Sequence, residues 1–395
     1  MRARASRARE ASGGPARFEG LDPCPHLPPC SACPRYGERG IAPAAQEALE
    51  RLARAHGLPA VETVSGAGSA FRLRARLAIR GRLGSPKIGL FELGTHRVVH
   101  IPNCRIQHPL INRVANVVRR ALVEARVTSY SDKAHSGIAR YLQVAVERAS
   151  QRAQVVVVAN CPTPEPLLEC FGLIRARLGA DLHSLWFNSN LEHTNTILGA
   201  AFQNVFGPDA LVETFGGAAV HYPPGAFGQS NPEVAQRIIE HVRDRIPQGA
   251  RVAEFHAGVG AIGLSVLDRV RDIRLNELSP HSLQGLELGI NGLEAADRLK
   301  VSVVAGTAAS ALAAADGVEV VIVDPPRKGL DPELGTHLRE HAPERLIYVS
   351  CGLGSLLEDI AALTSTGILR LAELTAFNLM PFTEHVETVA ILERR

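Results

Sequence analysis

From about residue 216 onward, short apolar runs that suit β-strands alternate with stretches of helical periodicity. One stretch, FGQSNPEVAQRIIEHV, has its own start signals, because Asn231 can cap a helix and Pro232 suits its first turn. Apolar residues then recur every four positions, at Val234, Ile238 and Val242. Strands that alternate with helices build a doubly wound sheet, so we expect an α/β domain over residues 216–395.

Four of the predicted strands end in residues that can carry chemistry. The runs RVAEFH, IRLNE, VEVVIVDPP and RLIYVSC lead to Glu254, Glu277, Asp324 and Cys351. Ligands of open α/β sheets bind at the carboxyl ends of the strands. We therefore expect these four side chains to meet in one crevice.

A glycine-rich turn, HAGVGAIGL, follows the first of these strands and is expected to lead into a helix. Its G-x-G-x-x-G spacing, with Gly258 as a cofactor contact, suits either NAD or S-adenosylmethionine. Glu254 favours S-adenosylmethionine, because a carboxylate before the turn repels a pyrophosphate but tolerates a sulfonium. Glu277 can accept hydrogen bonds from ribose hydroxyls in both cases. A turn that only packs a helix on a strand is the alternative without a ligand.

Cys351 is the candidate nucleophile at the lip of this crevice. A lone cysteine is more often a buried apolar residue, but a thiolate that adds to C6 of uracil makes C5 able to take a methyl group. A base must then remove the C5 proton. Glu387 in FTEHVETV is the first candidate and His385 the second, although Glu387 can also be a charge on the final strand.

Five motifs in the second half, FGQSN, EFHAGVGAIGL, VDPPRKG, YVSC and a terminal H-V-E, together resemble the RNA (uracil-5-)methyltransferase family. The resemblance implies a Rossmann-like class I methyltransferase domain that makes 5-methyluridine, with Cys351 as nucleophile and Glu387 as base. It also implies contacts with S-adenosylmethionine from Gln229, His256, Glu277 and Asp324. The chain departs from the family at Cys351-Gly352-Leu353, where Cys-Asn-Pro is usual, and at His256, where an aromatic residue is usual.

An arginine-rich run, FRLRARLAIRGR, precedes this domain, in a chain whose net charge is only +3. The arginines stand at even spacing, at Arg72, Arg74, Arg76, Arg80 and Arg82. A strand would place them on one face, where guanidinium groups can bind phosphates. We expect RNA contacts from Arg72, Arg74 and Arg76, and from Arg327 in VDPPRKG; the solvated face of a half-buried strand is the alternative.

Three cysteines near the N-terminus have the spacing C-x5-C-x2-C, and a fourth lies beyond the arginine-rich run. Four thiolates can bind zinc or an iron–sulfur cluster, whereas disulfides are disfavoured in a cytosolic chain. Related methyltransferases with this arrangement carry a [4Fe–4S] cluster, so the resemblance implies one held by Cys24, Cys30, Cys33 and Cys104. Cys161 and Cys170 have no partners by spacing and are expected in the core.

The first half is predicted to contain two parts. Residues 1–22, which begin MRARASRARE, read as a basic disordered arm, with a short transit peptide as the alternative. Residues 23–215 read as an α+β iron–sulfur and RNA-binding domain with one amphipathic helix, whose apolar face is Ile111, Val114, Val118 and Leu122. Since no apolar run reaches the roughly 18 residues of a membrane span and no secretory signal is visible, we expect a cytoplasmic monomer.

The early start of the cysteine run leaves no room for the small N-terminal β-barrel of some relatives. This layout resembles the short bacterial enzymes that act on large-subunit ribosomal RNA, so 23S ribosomal RNA is the expected partner. The T-loop of transfer RNA is the strongest competing substrate. An inactive RNA-binding protein is disfavoured by the presence of both Cys351 and Glu387, and a small-molecule methyltransferase leaves the first half unexplained.

Overall fold

The structure, a computed structural model, describes residues 16–395, which form two large β-sheets flanked by helices. Elements are numbered in chain order. The α-helices of the described residues are α1 (Pro43–Ala55), α2 (Pro109–Glu124), α3 (Leu168–Leu178), α4 (Pro232–Asp244), α5 (Pro280–Asn291), α6 (Ala295–Arg298), α7 (Pro332–Glu340) and α8 (Leu353–Thr364). Within residues 16–395, none of the helices has both the length and the apolar character to span a membrane.

An eight-stranded sheet dominates the second half of the chain. Its strands, in spatial order, are β1 (Glu62–Ser65), β16 (Leu369–Asn378), β17 (Glu387–Arg394), β15 (Arg345–Ser350), β14 (Val320–Val323), β11 (Ala250–Phe255), β12 (Val270–Glu277) and β13 (Val301–Ala305). The strands from β15 to β13 are parallel, and β17 is antiparallel to β15 and β16. Strand order reverses between β14 and β11, which places a ligand crevice at their carboxyl ends. The predicted Rossmann-like fold is confirmed.

Both faces of this sheet are buried, which explains its continuous apolar strands. Val252 and Val320 pack with α4 and α5, while their neighbours Ala253 and Val321 pack with α1, α7 and α8. Successive residues of a strand point to opposite faces, so each strand serves two cores. The predicted helix start is also confirmed, because the Asn231 side chain accepts from the backbone N–H of Val234 at 3.4 Å.

Two elements from the first half of the chain belong to the eight-stranded sheet. Helix α1 buries Leu49 in its core, and β1 pairs in parallel with β16, Val64 opposite Phe377. Residues 43–65, which sequence analysis placed in the domain of residues 23–215, therefore complete the sheet of the second half. Local periodicity identifies such elements but carries no information about which distant edge they join.

A seven-stranded sheet forms the core of the first half. Its strands, in spatial order, are β4 (Val98–His100), β3 (Ser85–Phe91), β2 (Arg74–Arg82), β5 (Ala139–Val146), β6 (Ala153–Ala159), β7 (Leu182–Ser189) and β8 (Ala201–Phe206). The predicted amphipathic helix is α2, and its apolar face is buried against the sheet. Cys161 and Cys170 lie in the same core, as expected. Truncation of Ile111 to alanine there would cost about 2–5 kcal/mol.

A hairpin, β9 (Leu211–Phe215) and β10 (Ala218–Tyr222), connects the two sheets and packs on α5. The prediction of a helix after the glycine-rich turn is wrong. The chain forms only a 3₁₀ turn at Gly263–Val266, because β12 already begins at Val270 and too few residues remain for an α-helix.

The prediction of a disordered arm over residues 1–22 is wrong for the last residues of that range. Arg17 forms a β-bridge with Glu38, and the Phe18 ring packs on Phe382 with centroids 5.6 Å apart. An aromatic ring gains from leaving water, so Phe18 ties this segment to the body of the protein. Residues 1–15 of the predicted arm lie outside the described residues.

Candidate active site

Cys351 and Glu387 lie at the ends of neighbouring antiparallel strands. Ser350 of β15 pairs with Thr388 of β17, and the same register continued by one residue sets Cys351 opposite Glu387. Cα atoms of directly opposed residues are about 4.5–5.5 Å apart. Asp324 follows β14 on the other side of β15, where Val323 pairs with Tyr348. Strand topology thus brings together the thiol and two carboxyl groups from three motifs.

Burial makes all three groups hold their protons more strongly. Glu387 is only 5 % exposed, and burial, followed by the charge of Asp324, raises its pKa to about 8. Burial raises the pKa of Asp324 to about 7. The pKa of the Cys351 thiol is raised by burial and by the nearby Glu387 and Asp324, while Arg327 lowers it. The site can therefore exchange protons near neutral pH.

Arg327 is exposed on the loop after β14. Its Nη2 lies 3.4 Å from Nε2 of His385. Burial and the Arg327 charge lower the pKa of His385, which favours the neutral imidazole that can accept this hydrogen bond. The guanidinium is thus placed at the rim of the catalytic groups, with donors available for an anion.

The loop after Cys351 is tied to the loop that carries Arg327. Oγ of Ser355 lies 3.0 Å from the carbonyl oxygen of Arg327 and 2.9 Å from that of Gly352, so its proton can be donated to either. A Cβ atom at residue 352 would lie 2.6 Å from the Arg327 carbonyl oxygen. The departure from Cys-Asn-Pro therefore has a local reason, since only glycine fits this close approach.

Asp359 on α8 ties the loop that carries Arg327 to β15, the strand before Cys351. Its Oδ2 accepts from the backbone N–H of Leu330 at 2.9 Å and from the Tyr348 hydroxyl at 2.6 Å. Sequence reasoning missed both Ser355 and Asp359. They lie on a helix face beyond the motif, and the periodicity of α8 does not distinguish them from ordinary surface residues.

Glu277 ties the glycine-rich turn to the start of α5. Its carboxylate accepts from the backbone N–H groups of Gly258 at 2.8 Å, Leu278 at 2.9 Å and Ser279 at 2.6 Å. A carboxylate has about four acceptor sites, so three internal donors leave room for roughly one more. Glu277 therefore fixes the shape of the glycine-rich turn in addition to facing it. Sequence reasoning did not predict this role in shaping the turn.

Glu254 and His256 flank the turn with unused polar atoms. Glu254 is 2 % exposed, its Oε2 has no hydrogen-bond partner among the described residues, and burial followed by the Asp324 charge raises its pKa. His256 adopts φ +61°, its buried Nδ1 is also unpartnered in the described chain, and its Nε2 lies 3.7 Å from Asp331. A buried acceptor without a donor suits a ligand that brings a cation or an N–H group.

Gln229 lines a small cavity together with Arg74, Tyr222 and Ala261. The Arg74 guanidinium stacks 4.1 Å from the Tyr222 ring centroid, a cation–π contact. Arg76 is exposed, and its Nε donates to Oε1 of Gln143 at 2.8 Å. These two arginines stand where β2 meets the second half of the chain.

The predicted row of arginines on one open face is wrong. Arg80 is buried, and its Nε and Nη2 donate to the carboxylate of Asp132 at 2.6 and 2.8 Å. Arg72 precedes β2, and its Nη2 donates to Sδ of Met380 at 3.1 Å. The alternation is present, but neighbouring segments cover parts of the face that spacing alone leaves open.

The four N-terminal cysteines come together as predicted. Cys24, Cys30, Cys33 and Cys104 line one cavity, which Arg72 also lines. Burial, followed by the neighbouring Cys104 and Cys30, raises the pKa of Cys33 to about 12. Within residues 16–395, no three or more His, Cys, Asp or Glu side chains stand as a ligand set for a single metal ion.

Comparisons with known proteins identify the family of the chain. Residues 315–395 match the family described as tRNA (Uracil-5-)-methyltransferase. An uncharacterized RNA methyltransferase of Protochlamydia amoebophila is 34% identical over 387 residues, which cover 94% of this chain and 97% of the relative. Another, of Halalkalibacterium halodurans, is 26% identical over 333 residues, which cover 82% of this chain and 70% of the relative.

Among solved structures, the crystal structure of Pyrococcus abyssi tRNA (uracil-54, C5)-methyltransferase in complex with S-adenosyl-L-homocysteine is similar in fold. The TM-score is 0.71 at 22% identity, and the match covers 88% of this chain and 83% of that chain. With the strand order and the identity to the chlamydial relative, the chain belongs to the RNA (uracil-5-)methyltransferase family and is an S-adenosylmethionine-dependent enzyme.

Proposed function

We propose that the protein makes 5-methyluridine in 23S ribosomal RNA, with Cys351 as nucleophile and Glu387 as base. The observation that carries the proposal is the cross-strand placement of Cys351 and Glu387 at the carboxyl end of β15. A nucleophile and a base on one side of a substrate ring are what C5 methylation of a uracil needs, because the ring must gain and then lose a bond at C6.

The Cys351 thiolate adds to C6 of the uracil, and the electrons of the C5–C6 double bond move onto O4 as an enolate. When bound, S-adenosylmethionine would supply the methyl group that C5 takes as the enolate re-forms the C4 carbonyl, and S-adenosylhomocysteine would leave. Glu387, as carboxylate, then takes the proton from C5, the double bond re-forms and the C6–S bond breaks to release the thiolate. Arg327 lowers the pKa of Cys351 and so favours the thiolate at the start.

S-adenosylmethionine would be held by the residues around the glycine-rich turn. The unpartnered Oε2 of Glu254 and the raised pKa of Asp324 fit a cation, since a sulfonium or ammonium would satisfy both. Glu277 and Gly258 would face the ribose, and Gln229 and His256 the rest of the ligand. His256 brings a polar nitrogen where the family resemblance implies an aromatic residue.

Cys24, Cys30, Cys33 and Cys104 would hold a [4Fe–4S] cluster. Four sulfur donors around a shared cavity fit a cubane better than one zinc ion, which would bring its thiolates to within roughly 4 Å of each other. Protein purified without air should be brown and contain about four irons and four sulfides per chain. A colourless protein with one zinc would contradict the cluster.

RNA would contact the region where the two halves meet. Arg76 and Arg327 are exposed there, and Arg74 lies beside Gln229. Arg72 points into the cysteine cavity, so the proposal no longer assigns it to RNA. We retain the division into an RNA-binding half and a methyltransferase half, with residues 43–65 assigned to the latter by sheet pairing. The cytoplasmic location and the monomeric state stay predictions.

The test is incubation of the purified protein with methyl-labelled S-adenosylmethionine and unmodified total RNA, followed by nucleoside analysis and mapping. Label in 5-methyluridine at one 23S position is the expected result. A loop uridine suits the reaction, because turning a base out of its stack costs least in a loop. Label in the T-loop of transfer RNA would overturn the substrate, and absence of label in any RNA would overturn the proposed activity.

A further inference from the structure

The loop between β16 and β17, residues 379–386, is here named the base loop because it leads directly to Glu387. We propose that Phe382 in this loop is a positioning residue, through which the cysteine-bearing segment 24–38 holds Glu387 for the final proton abstraction. The inference rests on the proposed function, since it assigns a consequence to the role of Glu387 as base.

Phe382 anchors the base loop in a cluster of aromatic rings. Its side chain is 1 % exposed. The centroid of its ring lies 5.1 Å from that of Tyr36, 5.6 Å from that of Phe18 and 6.4 Å from that of Phe71. Cys33 packs in the same cluster. Most of what holds this ring therefore comes from residues at the far N-terminal end of the chain.

Backbone contacts fasten the same loop on both sides. The N–H of Arg35, two residues after Cys33, donates to the carbonyl oxygen of Phe382 at 3.1 Å. On the other side, the Asn231 side chain donates to the carbonyl oxygen of Leu379 at 3.1 Å. The base loop is thus held between the cysteine-bearing segment and the helix start that follows Gln229.

The Phe382 backbone is strained. It adopts φ +70°, a left-handed conformation that a bulky side chain rarely takes. Such a conformation persists only where the surroundings over-determine it, and it is found at functional sites. Here the aromatic cluster and the Arg35 hydrogen bond supply that constraint. Without them the loop would relax, and the first residue of β17, Glu387, would shift with it.

Apart from the 3.4 Å contact between Arg327 and His385 of the base loop, the nucleophile is held by different contacts. Cys351 follows β15; Ser355 on α8 ties its loop, and Asp359 on α8 holds β15 through the Tyr348 hydroxyl. A loosened base loop should therefore leave addition to C6 and methyl transfer intact and slow only the elimination step. That separation predicts a kinetic signature that a general loss of fold would not produce.

The experiment compares Phe382→Leu with Phe171→Leu. Phe171 is a matched control, because it is 2 % exposed and lies in the core of the seven-stranded sheet. Phe382→Met, whose longer unbranched side chain can reach further into the space of the ring, tests rescue. Each variant is checked by thermal melting and S-adenosylmethionine binding. It is then mixed with substrate RNA, and with the same RNA containing 5-fluorouridine, whose C5 carries no proton to abstract.

We expect Phe382→Leu to form the 5-fluorouridine adduct at the wild-type rate. On uridine RNA it should release 5-methyluridine about 10- to 100-fold more slowly and accumulate a covalent adduct, whereas Phe171→Leu should accumulate none. Phe382→Met should recover most of the release rate. Wild-type release by Phe382→Leu, or equal slowing of adduct formation and release, would overturn the inference. Wild-type protein that methylates no RNA would instead overturn the proposed function.

Discussion

Two thiol-bearing regions border the base loop, and they differ in the charges that surround the sulfur atoms. In the cysteine cavity, the titratable neighbours of Cys33 are other thiols and the half-buried Arg72. Around Cys351, the neighbours are Glu387, Asp324 and the exposed Arg327. Burial raises the thiol pKa in both places. Under the proposed function, the cavity thiols would lose their protons when they bind a cluster, whereas the Cys351 site would pass protons between groups during turnover.

The largest effects are expected from replacing a cysteine in each region, and they distinguish the two regions directly. Cys351→Ala should abolish 5-methyluridine formation, because no other group can supply the bond to C6, and should leave S-adenosylmethionine affinity and iron content unchanged. Cys33→Ala should instead lower the iron content. Nucleoside analysis, ligand titration and metal analysis of the two variants provide the comparison. An active Cys351→Ala protein would remove the distinction between the regions.

Glu387→Gln should reduce turnover by about 10²- to 10⁴-fold, the usual contribution of a general base. Since the missing step follows methyl transfer, a covalent adduct between protein and RNA should accumulate on denaturing gels. Glu384→Gln is the matched control, because Glu384 is exposed in the same segment. Turnover by Glu387→Gln at the Glu384→Gln rate would show that another base acts.

The catalytic groups should make the reaction rate depend on pH. Glu387, with a pKa of about 8, and Cys351, with a raised pKa, both act in their deprotonated forms. The single-turnover rate should therefore rise as pH increases from about 6 to about 9, first through the Glu387 pKa of about 8 and then further as the Cys351 thiol ionises. A rate that falls across this window would mean that neither group acts as assigned.

The charge of Arg327 provides a further test of the difference between the two thiol-bearing regions. Arg327→Ala removes the charge that lowers the Cys351 pKa, so adduct formation at neutral pH should slow about tenfold and the pH profile should move to higher pH. Lys328→Ala, an exposed change in the same loop, should leave the profile in place. Equal shifts in both variants would point to general charge loss and not to an effect on the thiol.

The smallest effect concerns the buried Glu254. Burial raises the pKa of Glu254 in the folded protein. Its contribution to folding stability is therefore lost as pH rises through that pKa, because the buried carboxylate is costly once it is charged. Glu254→Gln should therefore melt a few degrees higher than the wild type at pH 8, and bind S-adenosylmethionine about tenfold more weakly. Scanning calorimetry and ligand titration test both parts. An unchanged affinity would separate Glu254 from the cofactor.

Sequence reasoning succeeded where topology alone decides the outcome. The carboxyl ends of parallel strands share one edge, so the meeting of Asp324 and Cys351 followed from recognising the strands. The arginine run shows where such reasoning stops. Alternation correctly predicted the buried apolar face of β2, but the burial of Arg80 beside Asp132 and the turn of Arg72 toward Met380 depend on segments distant in sequence. The pairing of β1 with β16 was hidden for the same reason.

The most direct test of the account is mass spectrometry of the adduct formed with methyl-labelled S-adenosylmethionine and substrate RNA containing 5-fluorouridine. Because fluorine replaces the C5 proton, elimination cannot follow and the intermediate persists. The account predicts a methylated 5-fluorouridine joined through C6 to the peptide that contains Cys351. An adduct on another residue, or 5-methyluridine made from normal RNA without any adduct, would contradict covalent catalysis by Cys351.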